Sequence, residues 1–216
     1  HTVVVPNPDL KPEKSLNYEA GSSFKADGVF GSDDHLFAKA VFFYDDVKDF
    51  IAPKGWFEPT TPPTVYYSSQ NVGHVVRKGI ELSGTYAAGQ FSTSVSYGLL
   101  HAVDKETNER MNGITPQSAN LKLAYAFPAQ AINVWYRAHW SKGGESSVED
   151  RATGKNLHFS SFLTHSLGAE WSPKVADLAN LQAGIAVVNL FDKEYRMLNG
   201  SYGSGRGVRL WLSAQF

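Results

Sequence analysis

The last nine residues of the chain alternate without a break. Val208, Leu210, Leu212, Ala214 and Phe216 carry apolar side chains, and Arg209, Trp211, Ser213 and Gln215 stand between them. A β-strand sends successive side chains to opposite faces. This segment therefore forms one apolar face and one largely polar face, the wall that a barrel needs between lipid and lumen. The same two-residue period recurs along the whole chain. It is clear at Phe91–Leu99, Ala119–Phe127 and Ala131–Trp140, where Ile132, Val134, Tyr136, Ala138 and Trp140 alternate with Asn133, Trp135, Arg137 and His139. It is weaker at Ser15–Lys25, Leu36–Phe50, Lys78–Tyr86, Phe159–Trp171 and Leu181–Val188. Nine strands are expected.

The connections between these strands are sorted by length. Ala88-Gly89, Pro128-Ala129 and Ser172–Asn180 are short, whereas Ala52–Pro63, Asp104–Pro116, Ser141–Asn156 and Phe191–Gly207 are long and rich in polar residues, Gly or Pro. Short turns on one rim and long loops on the other are characteristic of an outer-membrane barrel. A soluble β-sandwich, the competing fold, has no reason to sort its loops this way. Aromatic residues make up 13% of the chain. Tyr86, Phe91, Tyr125, Phe127, Trp140, Trp171 and Phe216 fall near strand ends, where girdles at the membrane surface belong.

Other classes are excluded by composition. No apolar stretch approaches the roughly 18–20 residues that a spanning helix needs. A formal net charge of −1 gives no strong pull toward nucleic acid. The absence of cysteine removes disulfide scaffolds, Cys-based zinc sites and thiol catalysis. Asp33-Asp34 and Asp45-Asp46 are adjacent, so within strands their carboxylates point apart and do not share a proton. Gly203-Ser204-Gly205-Arg206-Gly207 lacks the lysine and following helix of a phosphate loop and reads as a flexible loop. No enzyme is indicated.

Nine strands also bear on completeness. Single-chain bacterial barrels normally hold an even number, and an open strand edge is not tolerated in lipid. His1-Thr2-Val3-Val4-Val5-Pro6 has none of the parts of a signal peptide. Residues 1–216 are thus expected to be the C-terminal portion of a longer transmembrane antiparallel β-barrel, with partner strands supplied from upstream.

Several segments resemble one family. Asn7-Pro8-Asp9-Leu10-Lys11-Pro12-Glu13, followed by Tyr18-Glu19-Ala20-Gly21, resembles the Asn-Pro-x-Leu box of TonB-dependent outer-membrane transporters. Val188-Asn189-Leu190-Phe191-Asp192-Lys193-Glu194-Tyr195 resembles their segment before the last outer loop. Gly207 to the terminal Phe216 resembles their final strand, and Gly79-Ile80-Glu81-Leu82 is a weaker match. The resemblance implies the last nine strands of a 22-stranded, plugged barrel. It also implies an outer-membrane location and an energising inner-membrane partner of the TonB type, contacted through the missing N-terminal part. Within the family-like boxes, Pro8 and Pro12 are expected to fix an extended lead into the first strand. Asn189, Asp192 and Tyr195 are expected to stop the eighth strand and shape its loop.

The haem-importing branch of the family carries a histidine just before this box, and in the resemblance His1 takes that place as an axial ligand of haem iron. The other reading of His1 is an arbitrary first residue. Trp56 and Phe57, large and apolar among prolines in a long loop, are candidate contacts for a haem-carrier protein such as a haemophore or haemoglobin; girdle residues are the alternative. The function expected is active import of haem. A ferric-siderophore transporter of the same family and a passive pore are the rival readings. No pair among the remaining histidines has a spacing that demands a metal. His139 is expected to line the lumen beside Arg137, His101 and His158 to sit near loop bases, His35 near a short turn, His74 ahead of the third strand and His165 on the apolar face.

Overall fold

A computed structural model describes residues 2–58, 64–71, 73–149, 153–174, 180–198 and 200–215. In chain order its strands are β1 (Thr2–Val4), β2 (Lys14–Asp27), β3 (Asp34–Lys48), β4 (Ile51–Glu58), β5 (Thr64–Asn71), β6 (Val75–Ala88) and β7 (Phe91–Asp104). There follow β8 (Gln117–Phe127), β9 (Ile132–Ser141), β10 (Gly144–Glu149), β11 (Asn156–Phe159), β12 (Phe162–Trp171), β13 (Asn180–Val188) and β14 (Gly207–Gln215). One nine-stranded sheet has the order β2-β3-β6-β7-β8-β9-β12-β13-β14. These are the nine strands that the alternation predicts, with ends displaced by a few residues. Phe216 lies outside the described residues.

The long connections differ from expectation. Two of them carry short strands: β4 and β5, between β3 and β6, form a three-stranded sheet with β1 from ahead of β2, and β10 pairs with β11 between β9 and β12. The segment 52–58, read as loop, is most of β4. Pro53 is tolerated there because β4 ends its sheet, where one edge needs no N–H donor. The strand expected from Phe159 begins at Phe162, because Asn156–Phe159 belongs to the β10–β11 hairpin.

The chain divides into two compact units, one of His1–Glu19, Phe43–Lys78 and His101–Met111, the other of Ala20–Phe42, Gly79–Leu100 and Asn112–Phe216. In the second unit the antiparallel register aligns the apolar positions into rows. One row runs Phe91, Tyr125, Val134, Ala169, Ile185, Leu210; the next runs Thr93, Leu123, Tyr136, Leu167, Val187, Val208. This face is not covered by protein. Leu210 and Leu212 are each 75% exposed, and Phe91, Tyr125, Phe127 and Trp171, all near the short-turn ends, are also exposed. Soluble monomers rarely leave contiguous apolar patches larger than a few hundred Å2. Here the patch spans six strands, so the solvent it fits is hydrocarbon.

The opposite face is polar, with local packing around two tryptophans. Ser96, Asn120 and His139 form a ladder across β7, β8 and β9, with Asn120 Nδ2 donating to Ser96 Oγ at 3.1 Å and His139 Nδ1 2.8 Å from Asn120 Oδ1. His139 therefore sits on the polar face, as expected. The Trp135 ring lies flat over Gly168 on β12, and the Trp211 ring over Gly184 on β13. Any Cβ at either glycine would overlap the ring that covers it. Trp135, Ala124 and Ala186 make a small buried cluster, with Trp211 packed against it and the Arg137 guanidinium 5.0 Å from the Trp135 ring centroid.

On the short-turn side, Asp34 closes the β2–β3 connection. Its carboxylate accepts N–H groups of Val29, Phe30 and Gly31 at 2.7–2.9 Å, and the Tyr86 hydroxyl donates to it at 3.1 Å. It is a turn organiser and is 1% exposed.

Replacing Gly168 by valine is expected to expel the Trp135 ring and lower the unfolding free energy of the detergent-refolded protein by about 1–3 kcal/mol. Gly31→Ala, where an added Cβ meets nothing within 4 Å, is expected to stay within about 0.5 kcal/mol. Urea titrations of the two variants measure the difference.

Candidate functional site

In the first unit, the residues of the Asn-Pro-x-Leu box act as a clamp. Asn7 Nδ2 donates to the Ser69 carbonyl at 3.0 Å, and its Oδ1 accepts the Asp9 N–H at 3.1 Å. Pro8 thus occupies a turn closed by the Asn7 side chain, whereas the extended lead starts only near Pro12. Asn71, on β5, grips the box from the other side. It accepts the Lys11 N–H at 2.9 Å and donates to the carbonyls of Lys11 and Asp49 at 2.9 and 2.6 Å. Glu13 accepts the Ile51 N–H at 2.5 Å. A Gln side chain carries the same donor–acceptor pair on a longer reach, and an Asp side chain has the reach but no donor, so neither reproduces Asn71.

Next to this clamp, β1, β5 and β4 form one small sheet that includes the backbone of Trp56 and Phe57. β1 runs parallel to β5, with Thr2 opposite Val65, and β4 lies on the other side, with Phe57 opposite Val65 and Trp56 opposite Tyr66. His1, immediately before β1, and the side chains of Trp56 and Phe57 lie outside the described residues.

Asp45, Asp46, His74 and His101 of this unit each have a side-chain partner. Asp45, buried, binds Arg77, and Asp46 lies 2.7 Å from His74 Nε2. The two adjacent carboxylates thus have different partners, as strand alternation requires. His101 Nδ1 is 3.1 Å from the Arg110 guanidinium. In the second unit, His35 pairs with Asp27 at 2.6 Å beside the short turn, and His165 on the apolar face is hydrogen-bonded to the Tyr136 hydroxyl at 2.5 Å.

The second unit also holds a site that sequence reasoning missed. The β13–β14 loop is shaped by Asn189, at φ +48, whose amide donates to the carbonyls of Lys193 and Ser204 at 2.9 Å and accepts the Lys193 N–H. Asp192 accepts the Arg206 N–H at 2.7 Å. These contacts confirm the loop-shaping role expected of both residues, and they tie down the glycine-rich 203–207 segment that read as flexible. Tyr195 is then held between two surfaces. Its ring covers Gly203, where any Cβ would collide with it, and it stacks on Phe162 with centroids 4.1 Å apart. Arg196 lies 3.9 Å above the Tyr202 ring and hydrogen-bonds its hydroxyl.

Facing this loop is the β10–β11 hairpin, in which Glu145 and His158 are cross-strand neighbours. Between them lies a cavity of about 730 Å3, lined by His158, Phe159, Phe162, Tyr195, Arg196 and Tyr202 among others. An adjoining hollow of about 400 Å3 shares Phe162, Tyr195 and Arg196 and reaches His139. Its residues come from segments about forty positions apart, so only the fold brings them together. The one hint in the chain is aromatic, His and Arg residues recurring in the last two long loops.

The sheet, its uncovered apolar face and its structured long loops define part of a membrane β-barrel wall. The sequence model of the family described as TonB dependent receptor-like, beta-barrel matches residues 1–190, and the chain belongs to that family. It is 25% identical over 210 residues to the heme/hemopexin utilization protein C of Haemophilus influenzae (strain 86-028NP), covering 95% of this chain and 29% of that protein. It is 24% identical over 215 residues to the hemin receptor of Yersinia pestis, covering 98% and 30%. The copper transporter OprC superposes with a TM-score of 0.72 at 19% identity, over 95% of this chain and 31% of that one; this likeness is one of fold. The chain therefore spans less than a third of the length of the relatives it matches.

Asn71→Ala removes three hydrogen bonds from the clamp, each contributing about 1 kcal/mol. Amide exchange at residues 2–12 and 64–71 is expected to quicken about tenfold or more, while exchange in β8, β9 and β12 stays unchanged. Uniform acceleration across all strands would contradict a local clamp.

Proposed function

We propose that this chain is part of a TonB-dependent transporter of the outer membrane that imports haem iron. The observation that carries this reading is the relatedness, along 95% of the chain, to a protein named for heme and hemopexin utilization. The uncovered apolar rows of the second unit support insertion in lipid. The edges β2 and β14 each need a partner strand there. In this reading further strands and a lumen plug, outside these 216 residues, complete the barrel, and a TonB-type protein acts on that other part. His1 serves as an axial ligand of haem iron, an imidazole role common in haem proteins. Trp56 and Phe57 contact a haem-carrier protein. The β1-β5-β4 sheet carries Thr2, which follows His1 in sequence, and the backbone of Trp56-Phe57.

The gene's deletion is expected to abolish growth of the native bacterium on haem as sole iron source but not on ferrous salt. Loss of the energising inner-membrane protein is expected to have the same effect. Growth on haem without that protein would instead support a passive pore. In the purified full-length protein, His1→Ala is expected to weaken haem binding at least tenfold, read from the absorbance of the bound haem.

Lipid exposure has its own test. Leu210→Arg, on the apolar face, is expected to cost about 2–4 kcal/mol of folding free energy in bilayers if it sits near the midplane. Ser213→Arg, on the opposite face, is expected to be nearly neutral. Equal effects of the two would remove the assignment of faces.

A further inference from the structure

On the polar face of the second unit, the paired rows of β7, β8, β9, β12, β13 and β14 carry three cations, Lys122, Arg137 and Arg209, and one carboxylate, Glu170. Lys122 and Arg137 are direct cross-strand neighbours. Side chains so related have Cβ atoms about 4.5–5.5 Å apart, and like charges there repel and destabilise the sheet. Arg209 stands on the next row of the same face, with Trp135, Gly168 and Ala186. Glu170 does not offset the pair. It lies opposite Asn133, four residues along β12 from Ser166, the neighbour of Arg137, which is about 13 Å at the rise of a strand. Its carboxylate is 3.5 Å from Gln182 Nε2. None of the three cations forms an ion pair among the described residues. Arg137 is exposed and Lys122 partly so.

A surface charged only for solubility intersperses both signs. Here the sheet keeps a repulsive pair in the middle of its strands, where a neutral polar residue would satisfy the alternation as well. Such a local cost is typical of a functional position, where the gain comes from elsewhere. The gain that two adjacent cations offer is a negative partner arriving from the lumen. The surroundings suit one. The Arg137 guanidinium lies 5.0 Å from the Trp135 ring centroid, and an arginine stacked on a ring keeps its N–H edge for a carboxylate. The Ser96–Asn120–His139 ladder is the adjoining row, on the side of the long connections. We propose that Lys122 and Arg137 form a carboxylate-receiving site on the lumen wall, which takes the anionic groups of the transported ligand as it passes. Arg209 adds attraction at longer range. Haem carries carboxylates at its rim, so the inference rests on the reading of the protein as a haem importer and adds a contact inside the barrel. Carboxylates of the protein's own remainder are the other source of the same chemistry. The two sources differ in their effect on stability. A pair kept for a passing ligand leaves its repulsion unrelieved at rest, so neutralising it costs no stability, whereas permanent ion pairs would be lost.

The test uses the full-length protein in its native bacterium and compares uptake of radiolabelled haem with that of haem dimethyl ester, whose carboxylates are capped. The parent is expected to take up haem in preference to the ester. Lys122→Gln combined with Arg137→Gln is expected to raise the half-saturating haem concentration about tenfold, as loss of hydrogen bonds to a charged group implies, and to leave ester uptake unchanged. Lys122→Arg combined with Arg137→Lys, which conserves both charges, is expected to keep the preference for haem. Purified in detergent, the double Gln variant is expected to unfold at the same temperature as the parent or higher. Unchanged half-saturation for haem, equal loss for haem and ester, a parent indifferent to esterification, or the same loss in the charge-conserving variant would overturn the site. So would a lower unfolding temperature of the double Gln variant, which assigns the pair to carboxylates of the protein itself. Those outcomes leave the import reading standing as long as the parent takes up haem. A parent that takes up neither compound defeats the import reading instead.

Discussion

Every structural feature of this chain depends on one constraint: each strand must satisfy its backbone hydrogen bonds through its neighbours while one of its faces is left bare of protein. In water an uncovered apolar face would drive collapse or aggregation. In hydrocarbon it costs nothing, but then no backbone group is left to water, and a sheet survives only by continuous pairing. The uninterrupted register from β7 to β14 meets that demand. It also explains why large aliphatic side chains such as Leu210 and Leu212 stay exposed while Trp135 is buried on the polar face. The inward face has no lipid to fill it, so its packing is done by rings laid over glycines, Trp135 on Gly168 and Trp211 on Gly184.

The same constraint separates wall from loops. Wall residues have their faces assigned by alternation. Loop residues are free of it, and their order comes from side-chain clamps. Asn71 holds the 7–13 segment, Asn189 holds the β13–β14 loop and Asp34 closes the opposite turn. The family-like boxes of the sequence therefore read physically as devices that fasten loops. The fastened loops display Tyr195 and Arg196 in one unit and carry the β1-β5-β4 sheet in the other.

The wall was legible in the sequence because a two-residue period is a local property. Val208 to Ala214 announces its face without knowledge of its partners. The short strands of the long connections were not legible, since β4, β5, β10 and β11 alternate little and are defined by what they pair with. Asn71 finds Lys11 across sixty residues, and no spacing rule indicates it. His158 read as one histidine near a loop base. Its pairing with Glu145 exists only once the hairpin forms, and the stacked Phe162–Tyr195 wall only once two loops meet. Conversely, Asp45 and Asp46 read correctly as pointing apart, because that follows from strand geometry alone.

These 216 residues contain no cysteine, so labels can be placed along the last strand once any cysteine elsewhere in the full-length protein is replaced. Single cysteines placed at each position from 208 to 214, spin-labelled in the full-length protein reconstituted in bilayers, report contact with membrane-dissolved oxygen or with a water-soluble nickel chelate. The account predicts strict alternation, with oxygen contact dominant at 208, 210, 212 and 214 and lower at 209, 211 and 213. Uniform access to the chelate along the strand, or protection of both faces alike, would contradict it.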